Sequence, residues 1–230
     1  MKHYLKKLED TVREHWEQNA LCDFGGECFT YADLATHIEH FRFFLSAAKI
    51  GKGDKIAICA RNSAHWAMTF WGVNVNGCVA VPILADFLPN SISGLVNHSD
   101  SVLLFTDDDI WEKMNPDETP LIKAAINVKD GKMLWHRDEE VASAWENRDR
   151  VFATNYPSGM TPEQVTYPSD NWDDLAIINY TSGTSGNPKG VMLTYGALSD
   201  TDDFSNTHFP NQPGETIVSM LPLAHMYGLA

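Results

Sequence analysis

Short apolar runs alternate with helix-length segments over residues 55–106. The runs read "KIAICA", "CVAVPI" and "SVLLFT", and the intervening segments read "NSAHWAMTFWGVNVNG" and "PNSISGLVNHS". Runs of this length suit buried strands, and their spacing is that of βαβ units. The pattern therefore predicts an α/β fold whose mainly parallel sheet is covered by helices on both faces.

Two helices are predicted on the N-terminal side of this region. Residues 5–16 place apolar side chains on one helical face. A second helix opens with a capping box, Thr30 with Asp33, and stops near Gly51. Its apolar face contains Leu34, Ile38, Phe41, Leu45 and Ala48.

After residue 170 the sequence predicts a strand, a loop and a helix in that order. The strand reads "DDLAIINY", the loop covers residues 180–190, and "VMLTYGALSDTDDF" fits a helix. The later stretch "ETIVSMLPL" is predicted to be a further strand. Residues 112–170 are harder to interpret, although "LIKAAINV" and "KMLWH" suit strands or a short helix.

The four cysteines form no CxxC pair, which favours reduced thiols in a cytoplasmic protein. Two of them, Cys22 and Cys28, flank a hairpin turn marked by Gly25-Gly26. With the turn centred between these glycines, Asp23 rather than Cys22 would face Cys28. A cross-strand disulfide is therefore not expected.

Composition excludes several classes of partner. The formal net charge is −14, so a basic nucleic-acid-binding surface is not expected. No apolar run reaches the ~18 residues of a membrane span, which leaves only peripheral membrane contact open. The N-terminal lysines are not followed by an apolar stretch, so we predict no signal peptide and expect a cytoplasmic protein.

The loop "YTSGTSGNPKG", residues 180–190, consists mostly of small residues. Its glycines let backbone N–H groups turn toward a shared ligand, its hydroxyls add donors, and Lys189 adds a full positive charge. A helix directly after the loop would contribute its N-terminal dipole. The pattern predicts a polyphosphate cradle, with a solvated turn as the alternative on composition alone. It is not a Walker A loop, because Pro188 precedes the lysine and Gly190 follows it.

The segment Tyr180–Thr194, "YTSGTSGNPKGVMLT", resembles the phosphate-loop signature of the adenylate-forming, AMP-binding enzymes. A second segment, "LPLAHMYGL" at Leu221–Leu229, is similar to the next motif of that family, at the expected separation. "FTYADL" and the region from Gly53 to Ile83 also look like the N-terminal half of the family. The family contains acyl-CoA synthetases, amino-acid adenylation domains and luciferases. Both motifs look most like those of long-chain fatty-acid CoA ligases.

The resemblance implies a two-step reaction. A carboxylate attacks the α-phosphorus of ATP to give acyl-AMP and pyrophosphate, and a thiol such as that of coenzyme A then displaces AMP. The residues that by resemblance hold the β- and γ-phosphates are Thr181, Ser182, Gly183, Thr184, Ser185, Gly186 and Lys189. Thr184 matches a position that also helps to hold Mg²⁺. Lys189 and His225 are the two catalytic residues that the resemblance implies. His225 matches a residue next to the reacting carboxylate, and Tyr227 matches a residue that lines the acyl pocket.

The residue after His225 indicates the substrate class. Family members that activate amino acids have an aspartate there to pair with the substrate ammonium, whereas this chain has Met226. Because a buried ammonium without a partner is costly, we favour a fatty acid over an amino acid. An aryl or amino acid is the alternative substrate, a carrier protein the alternative acceptor, and a non-catalytic nucleotide-binding module the alternative function.

The resemblance also implies that the chain is the truncated N-terminal part of a longer AMP-binding domain. Residues 51–212 would form one complete α/β subdomain, and residues 1–50 and 213–230 would be pieces of a second, incomplete one. Residues that complete the active site of the family would lie beyond Ala230, so we expect the 230 residues alone to be inactive. The apolar faces of helix 31–50 and of "SMLPLAHMYGLA" would lack their cover and drive self-association.

Three further groups of residues have structural explanations. His37 and His40 lie one helical turn apart, where a metal site would need a third ligand, and we expect a solvated helix face. The run Asp107–Asp109 could hold magnesium, but a cap on the next short helix is favoured. A set of helix-spaced aromatic residues is expected in the core rather than around a cofactor: Trp66, Phe70 and Trp71.

Overall fold

The computed structural model describes residues 2–181, 189–210, 212 and 214–225. The helices in these ranges are α1 (Tyr4–Glu14), α2 (Tyr31–Ala47), α3 (Ala64–Val75), α4 (Pro89–His98), α5 (Asp108–Trp111), α6 (Glu139–Asn155) and α7 (Tyr195–His208). The strands are β1 (Asn19–Cys22), β2 (Cys28–Thr30), β3 (Lys55–Cys59), β4 (Val79–Pro82), β5 (Ser101–Thr106), β6 (Ala124–Asn127), β7 (Met133–His136), β8 (Leu175–Thr181) and β9 (Lys189–Thr194). Within the described ranges, no helix combines the length and apolar character needed to cross a membrane.

Seven strands form one sheet in the order β7-β6-β5-β3-β4-β8-β9. The five inner strands run parallel, and the edge strands β7 and β9 pair antiparallel to their neighbours. The inner strands β3 to β6 are buried almost throughout, as expected for a sheet covered on both faces. The ambiguous stretches "LIKAAINV" and "KMLWH" contain β6 and β7. The predicted α/β fold with a mainly parallel sheet is confirmed.

Alternate residues of β3 divide between two apolar cores, one on each face of the sheet. Ile56 and Ile58 belong to the larger core, which contains side chains of α1, α2, α3 and α6. Ala57 and Cys59 belong to the smaller core, to which α4 and α5 contribute. The predicted core position of the aromatic side chains on α3 is confirmed for Trp66 and Phe70, which are 1% and 6% exposed, while Trp71 is partly buried and packs against the larger core.

The apolar face of α2 is covered by the rest of the chain. The capping box predicted for its start is present, since Thr30 and Asp33 each bind the backbone amide of the other. The expectation that this face lacks cover is wrong, because α2 packs against α3 and α6 in the larger core. Its five apolar positions are all buried: Leu34, Ile38, Phe41, Leu45 and Ala48. In the later segment "SMLPLAHMYGLA", which begins at Ser219, Met220 and Leu221 are exposed while Ala224 is buried. The division of the chain into two subdomains stays a prediction.

Gly72 allows α2 and α3 to come into close contact. A Cβ atom at this position would lie 2.6 Å from Cγ and 2.8 Å from Cδ2 of Phe41. The Phe41 side chain is itself buried, and its ring lies 5.3 Å from that of Phe105 and 5.9 Å from that of Trp145. A residue with a side chain therefore does not fit at this point without displacing an aromatic ring.

The β1–β2 hairpin has a different centre from the one predicted. Cys22 pairs with Cys28 across the strands, and the two form a disulfide with Cα atoms 4.1 Å apart. The turn is centred on Gly25, at φ 70°, because the Asp23 amide donates to the Glu27 carbonyl at 2.9 Å. The expectation that these two cysteines are unpaired is therefore wrong, while the other two cysteines are buried free thiols.

Two predicted elements near the C-terminal end also differ from the structure. Residues 191–194, predicted as the start of a helix, belong instead to the edge strand β9, and α7 begins only at Tyr195. Pairing with β8 explains the difference, because it satisfies the backbone hydrogen-bonding groups of β9 without helix formation. The stretch "ETIVSMLPL" contains no strand in the structure, and the side chains of residues 215–222 are exposed.

Candidate functional site

The predicted phosphate loop connects two antiparallel strands. β8 ends at Thr181 and β9 begins at Lys189, and these two residues are register partners. The seven residues between them, 182–188, are therefore the connection of a β-hairpin. The predicted site residues that lie outside the described part of the chain are Ser182, Gly183, Thr184, Ser185, Gly186 and Tyr227.

The helix expected directly after the loop begins at the opposite end of β9. Thr194, the last residue of β9, pairs with Leu175, the first residue of β8. At ~3.4 Å per residue, a six-residue strand places this end ~17 Å from the loop. The N-terminal dipole of α7 therefore cannot contribute to the cradle, because its effect fades within about one helical turn. The predicted anion cradle would therefore have to rely on the loop itself and on Lys189.

Lys189 presents an exposed side chain at the first position of β9. No carboxylate in the part of the chain that the structure describes forms an ion pair with it. Its ammonium group is therefore available to a negatively charged ligand, as the predicted role requires.

The ring of Tyr180 supports the start of β9. A Cβ atom at Gly190 would lie 3.3 Å from Cε1 of Tyr180 and 2.9 Å from Cγ2 of Ile178, so the glycine lets these side chains lie against the strand. A hydrogen bond of 2.8 Å joins the Tyr180 hydroxyl to Nδ1 of His98 on α4. The end of β8 before the loop thus packs against the smaller core, and the start of β9 lies against these β8 side chains.

Two asparagine side chains hold the backbone next to His225. Nδ2 of Asn62 donates to the carbonyl of Leu221 at 2.7 Å, and Oδ1 of Asn62 accepts from the amide of Leu223 at 2.8 Å. Nδ2 of Asn179 donates to the carbonyl of the residue before His225 at 3.0 Å. We call these three hydrogen bonds the asparagine clamp. They fix the path of the segment that carries the exposed His225 side chain.

The asparagine clamp brings this segment to the same edge of the sheet as the loop. Asn62 follows the carboxyl end of β3, and Asn179 lies two residues before Thr181 at the carboxyl end of β8. Open α/β sheets bind their ligands beyond the carboxyl ends of parallel strands. The described residues of the predicted site, Thr181, Lys189 and His225, therefore share one edge of the sheet, while their individual roles stay predictions.

Sequence reasoning did not identify Asn62 or Asn179 as part of the site. The residue after Asn62, Ser63, is the N-cap of α3, with Oγ accepting from the Trp66 amide at 3.0 Å. The Asn62 side chain is therefore available for residues 221–223. A signal existed for Asn179, because a polar residue inside an apolar strand is usually buried only with a specific partner.

The aspartates that follow β5 bind an arginine. Nη1 and Nη2 of Arg61 donate to the carboxylate of Asp109 at 2.8 and 2.7 Å, and Nη1 also donates to Asp107 at 3.0 Å. The hydrogen bonds from Arg61 lower the pKa of Asp109 to about 2. Asp107 is the N-cap residue of α5, but its side chain makes no capping hydrogen bond, so the predicted side-chain cap is wrong.

No group of histidine, cysteine, aspartate and glutamate side chains among the described residues is arranged to hold a metal ion. The predicted Mg²⁺ ligand, Thr184, belongs to the undescribed stretch 182–188. Magnesium binding at the loop therefore stays a prediction.

A family model described as "AMP-binding enzyme" matches residues 8–230. The chain belongs to the AMP-binding enzymes. The chain is 30% identical over 218 residues to "Probable acyl-activating enzyme 16, chloroplastic" of Arabidopsis thaliana. This alignment covers 86% of this chain and 29% of the relative. It is also 28% identical over 195 residues to "Long-chain-fatty-acid--CoA ligase 6" of Mus musculus, in an alignment that covers 78% of this chain and 26% of the relative. The chain thus spans less than a third of the length of either relative.

The fold of this AMP-binding enzyme matches that of a solved fragment. The crystal structure of the N-terminal domain of FACL13 from Mycobacterium tuberculosis, bound to an inhibitor, aligns with a TM-score of 0.76 at 21% identity. The alignment covers 100% of this chain and 53% of that chain. At this identity the likeness shows the fold alone.

Replacing Asn62 by alanine in this AMP-binding enzyme is expected to loosen the segment before His225. Two hydrogen bonds worth ~0.5–1.5 kcal/mol each would be lost, so amide exchange at Leu223 should become faster by about tenfold or more. Hydrogen exchange followed by NMR measures this rate. The matched control is Asn97→Ala, which removes a 2.6 Å side-chain bond to the carbonyl of Glu118 and should leave Leu223 unaffected. An unchanged rate in Asn62→Ala would contradict the asparagine clamp.

Proposed function

We propose that this chain is the ATP-handling part of an acid–thiol ligase that converts a fatty acid into its coenzyme A thioester. Membership of the AMP-binding enzymes supports the use of ATP. The observation that carries the proposal is the β8–β9 hairpin. It places Thr181 and the Lys189 ammonium at the two ends of a loop rich in glycine, serine and threonine.

In the first step, a carboxylate oxygen of the acid would bond to the α-phosphorus of ATP as the bond to the pyrophosphate oxygen breaks. Negative charge builds up on the departing pyrophosphate, so the loop amides, the loop hydroxyls and Lys189 would stabilise the leaving group. Thr184 would help to hold Mg²⁺, which neutralises phosphate charge when bound. The products of this step are acyl-AMP and pyrophosphate.

His225 would act at the acyl group. Its backbone is held at the carboxyl edge of the sheet by Asn62 and Asn179, which favours a fixed position for the imidazole near the reacting carboxylate. In the second step, the sulfur of coenzyme A would attack the acyl carbonyl carbon, and AMP would leave. His225 would orient the acyl group or control access of the thiol, and Tyr227 would line the acyl pocket.

The fatty-acid assignment rests on Met226, where amino-acid ligases of the family have a carboxylate. The printed name of the mouse relative, a long-chain fatty-acid CoA ligase, supports the same substrate class. A cytoplasmic location accompanies this proposal and would require that Cys22 and Cys28 be reduced in the cell.

Pyrophosphate release against a panel of carboxylic acids tests the proposal. The protein is assayed in a form as long as its relatives, with ATP, Mg²⁺ and long-chain, aryl or amino acids, and then with coenzyme A or a carrier protein. We expect release with a long-chain fatty acid, thioester formation with coenzyme A, and no release by the 230 residues alone. Preference for an aryl or amino acid would replace the substrate assignment. ATP binding without release for any acid would instead identify a nucleotide-binding module.

A further inference from the structure

A cavity of about 160 Å³ lies between α2, α3, α6 and the turn that joins β6 to β7. It lies beside the carboxyl ends of β5 and β6, which β3 and β4 separate from the strand that carries the phosphate loop. We call it the histidine cavity, because it is lined by His37 and His40 of α2 and by His65 of α3, together with Arg148 of α6.

Three imidazole nitrogens in the histidine cavity are buried without a hydrogen-bond partner among the described residues. They are Nε2 of His37, Nε2 of His40 and Nδ1 of His65. The prediction of a solvated helix face for the first two is therefore wrong, because α6 and the β6–β7 turn cover that face of α2. A buried polar atom without a partner costs ~1–3 kcal/mol, which a ligand offering the missing hydrogen bonds would recover.

Arg148 brings a positive charge to the cavity that its neighbours balance only in part. Its guanidinium stacks on the ring of Trp145 at 3.8 Å and donates to the Trp145 carbonyl at 2.6 Å. The carboxylate of Asp149 lies 3.5 Å from Nε of Arg148, but that side chain is 63% exposed. Burial lowers the pKa of Arg148. The lining also contains Lys129 and Asp130, whose charges offset each other.

Burial next to this guanidinium favours the neutral form of His37 and His40. Burial, together with the nearby His40, His65 and Arg148, lowers the pKa of His37 to about 3. A neutral imidazole keeps one N–H donor, so His37 can donate from Nε2 without adding charge. Nδ1 of His40 lies 3.4 Å from a carboxylate oxygen of Asp149.

We propose that the histidine cavity binds a small oxyanion, either inorganic phosphate or a short carboxylate. An oxyanion can accept from several imidazole N–H groups at once and can pair with Arg148 through two parallel hydrogen bonds. A divalent cation fits poorly, because the described residues form no metal-binding group and Arg148 would repel it. The volume is several times what a single water molecule needs, which leaves room for such a ligand.

Titration of the purified protein with phosphate or with acetate, followed by ¹⁵N NMR of the imidazole nitrogens, tests the proposal. We expect saturable shifts of the His37, His40 and His65 signals, and the anion that acts at the lower concentration identifies the ligand class. Arg148→Gln, which keeps most of the stem over the Trp145 ring, should weaken binding by about tenfold or more.

Matched variants separate this site from the rest of the molecule. Arg150→Gln is the control on the same helix, because Arg150 is exposed and donates to Asn147, and it should bind like the wild type. Lys189→Ala removes the charge at the phosphate loop and should leave the imidazole shifts unchanged. His65→Gln should weaken binding as a second variant, and near-UV circular dichroism shows that each variant is folded.

The proposal is overturned by any of three results. The first is that neither anion shifts the imidazole signals. The second is that Arg150→Gln weakens binding as much as Arg148→Gln, and the third is that Lys189→Ala abolishes the shifts.

Discussion

Replacing Gly72 by alanine is expected to lower the free energy of unfolding by about 2–3 kcal/mol, a fall in Tm of roughly 4–12 °C for a chain of this size. In an isolated helix the same change would stabilise by ~1 kcal/mol, because alanine is the better helix former. Here the new methyl group would lie within 3 Å of ring atoms of Phe41. That ring cannot move aside easily, because Phe44, Phe105 and Trp145 surround it. The steric cost therefore outweighs the gain in helix propensity.

Gly94→Ala is the matched control for this prediction. Gly94 lies inside α4, and a Cβ atom there would meet no other atom within 4 Å. We expect this variant to be more stable than the wild type by ~0.5–1 kcal/mol. Urea unfolding followed by tryptophan fluorescence gives both values. A stabilising Gly72→Ala would contradict the close contact of α2 with α3.

Replacing Lys189 by alanine, in a form of the protein that carries out the reaction, is expected to reduce kcat/KM for ATP by about 10²–10³-fold. Loss of one group that stabilises developing charge in an active site typically costs ~2.7–4 kcal/mol of transition-state stabilisation. Lys189 is the one cation of the loop sequence 180–190, so no neighbour in that stretch replaces its charge. The N-terminal dipole of α7, at the far end of β9, cannot replace it either. Steady-state pyrophosphate release measures the loss.

Two further variants show whether the effect is specific to Lys189. Lys132→Ala removes another exposed lysine, which forms no ion pair within the described ranges, and should leave kcat/KM within about twofold. Lys189→Arg should give an intermediate value, because the guanidinium keeps the charge but not the compact shape of the ammonium. Full activity of Lys189→Ala would show that the loop does not hold the phosphates through this residue.

Much of the fold could be predicted where local sequence and tertiary environment agree. β3, β4 and β5 are buried on both faces, so their apolar runs are visible without knowledge of their neighbours. The capping box of Thr30 and Asp33 is equally local, and it marks the start of α2. β9 could not be recognised in this way. Most of its side chains are at least partly exposed, so pairing with β8 decides its conformation rather than its own pattern.

The candidate site could be predicted where its residues are neighbours in the sequence. The small residues of the loop and Lys189 lie within eleven positions, residues 180–190, and their composition predicts an anion cradle. The asparagine clamp joins Asn62 to Leu221, which lies 159 positions away. The sequence around Asn62 therefore does not predict this contact. The burial of the His37 ring likewise depends on α6, which follows about a hundred residues later.

The register of the β8–β9 pair determines on which side of the sheet the Lys189 ammonium lies. Side chains alternate between the two sides of a strand, so a slip of one position in this ladder would reverse the side on which Lys189 emerges. Gly190 or Pro188 would then stand opposite Thr181. The direction of the Lys189 side chain therefore depends on the number of residues between the paired positions. An insertion that removes no functional group could still turn this side chain to the opposite side of the strand.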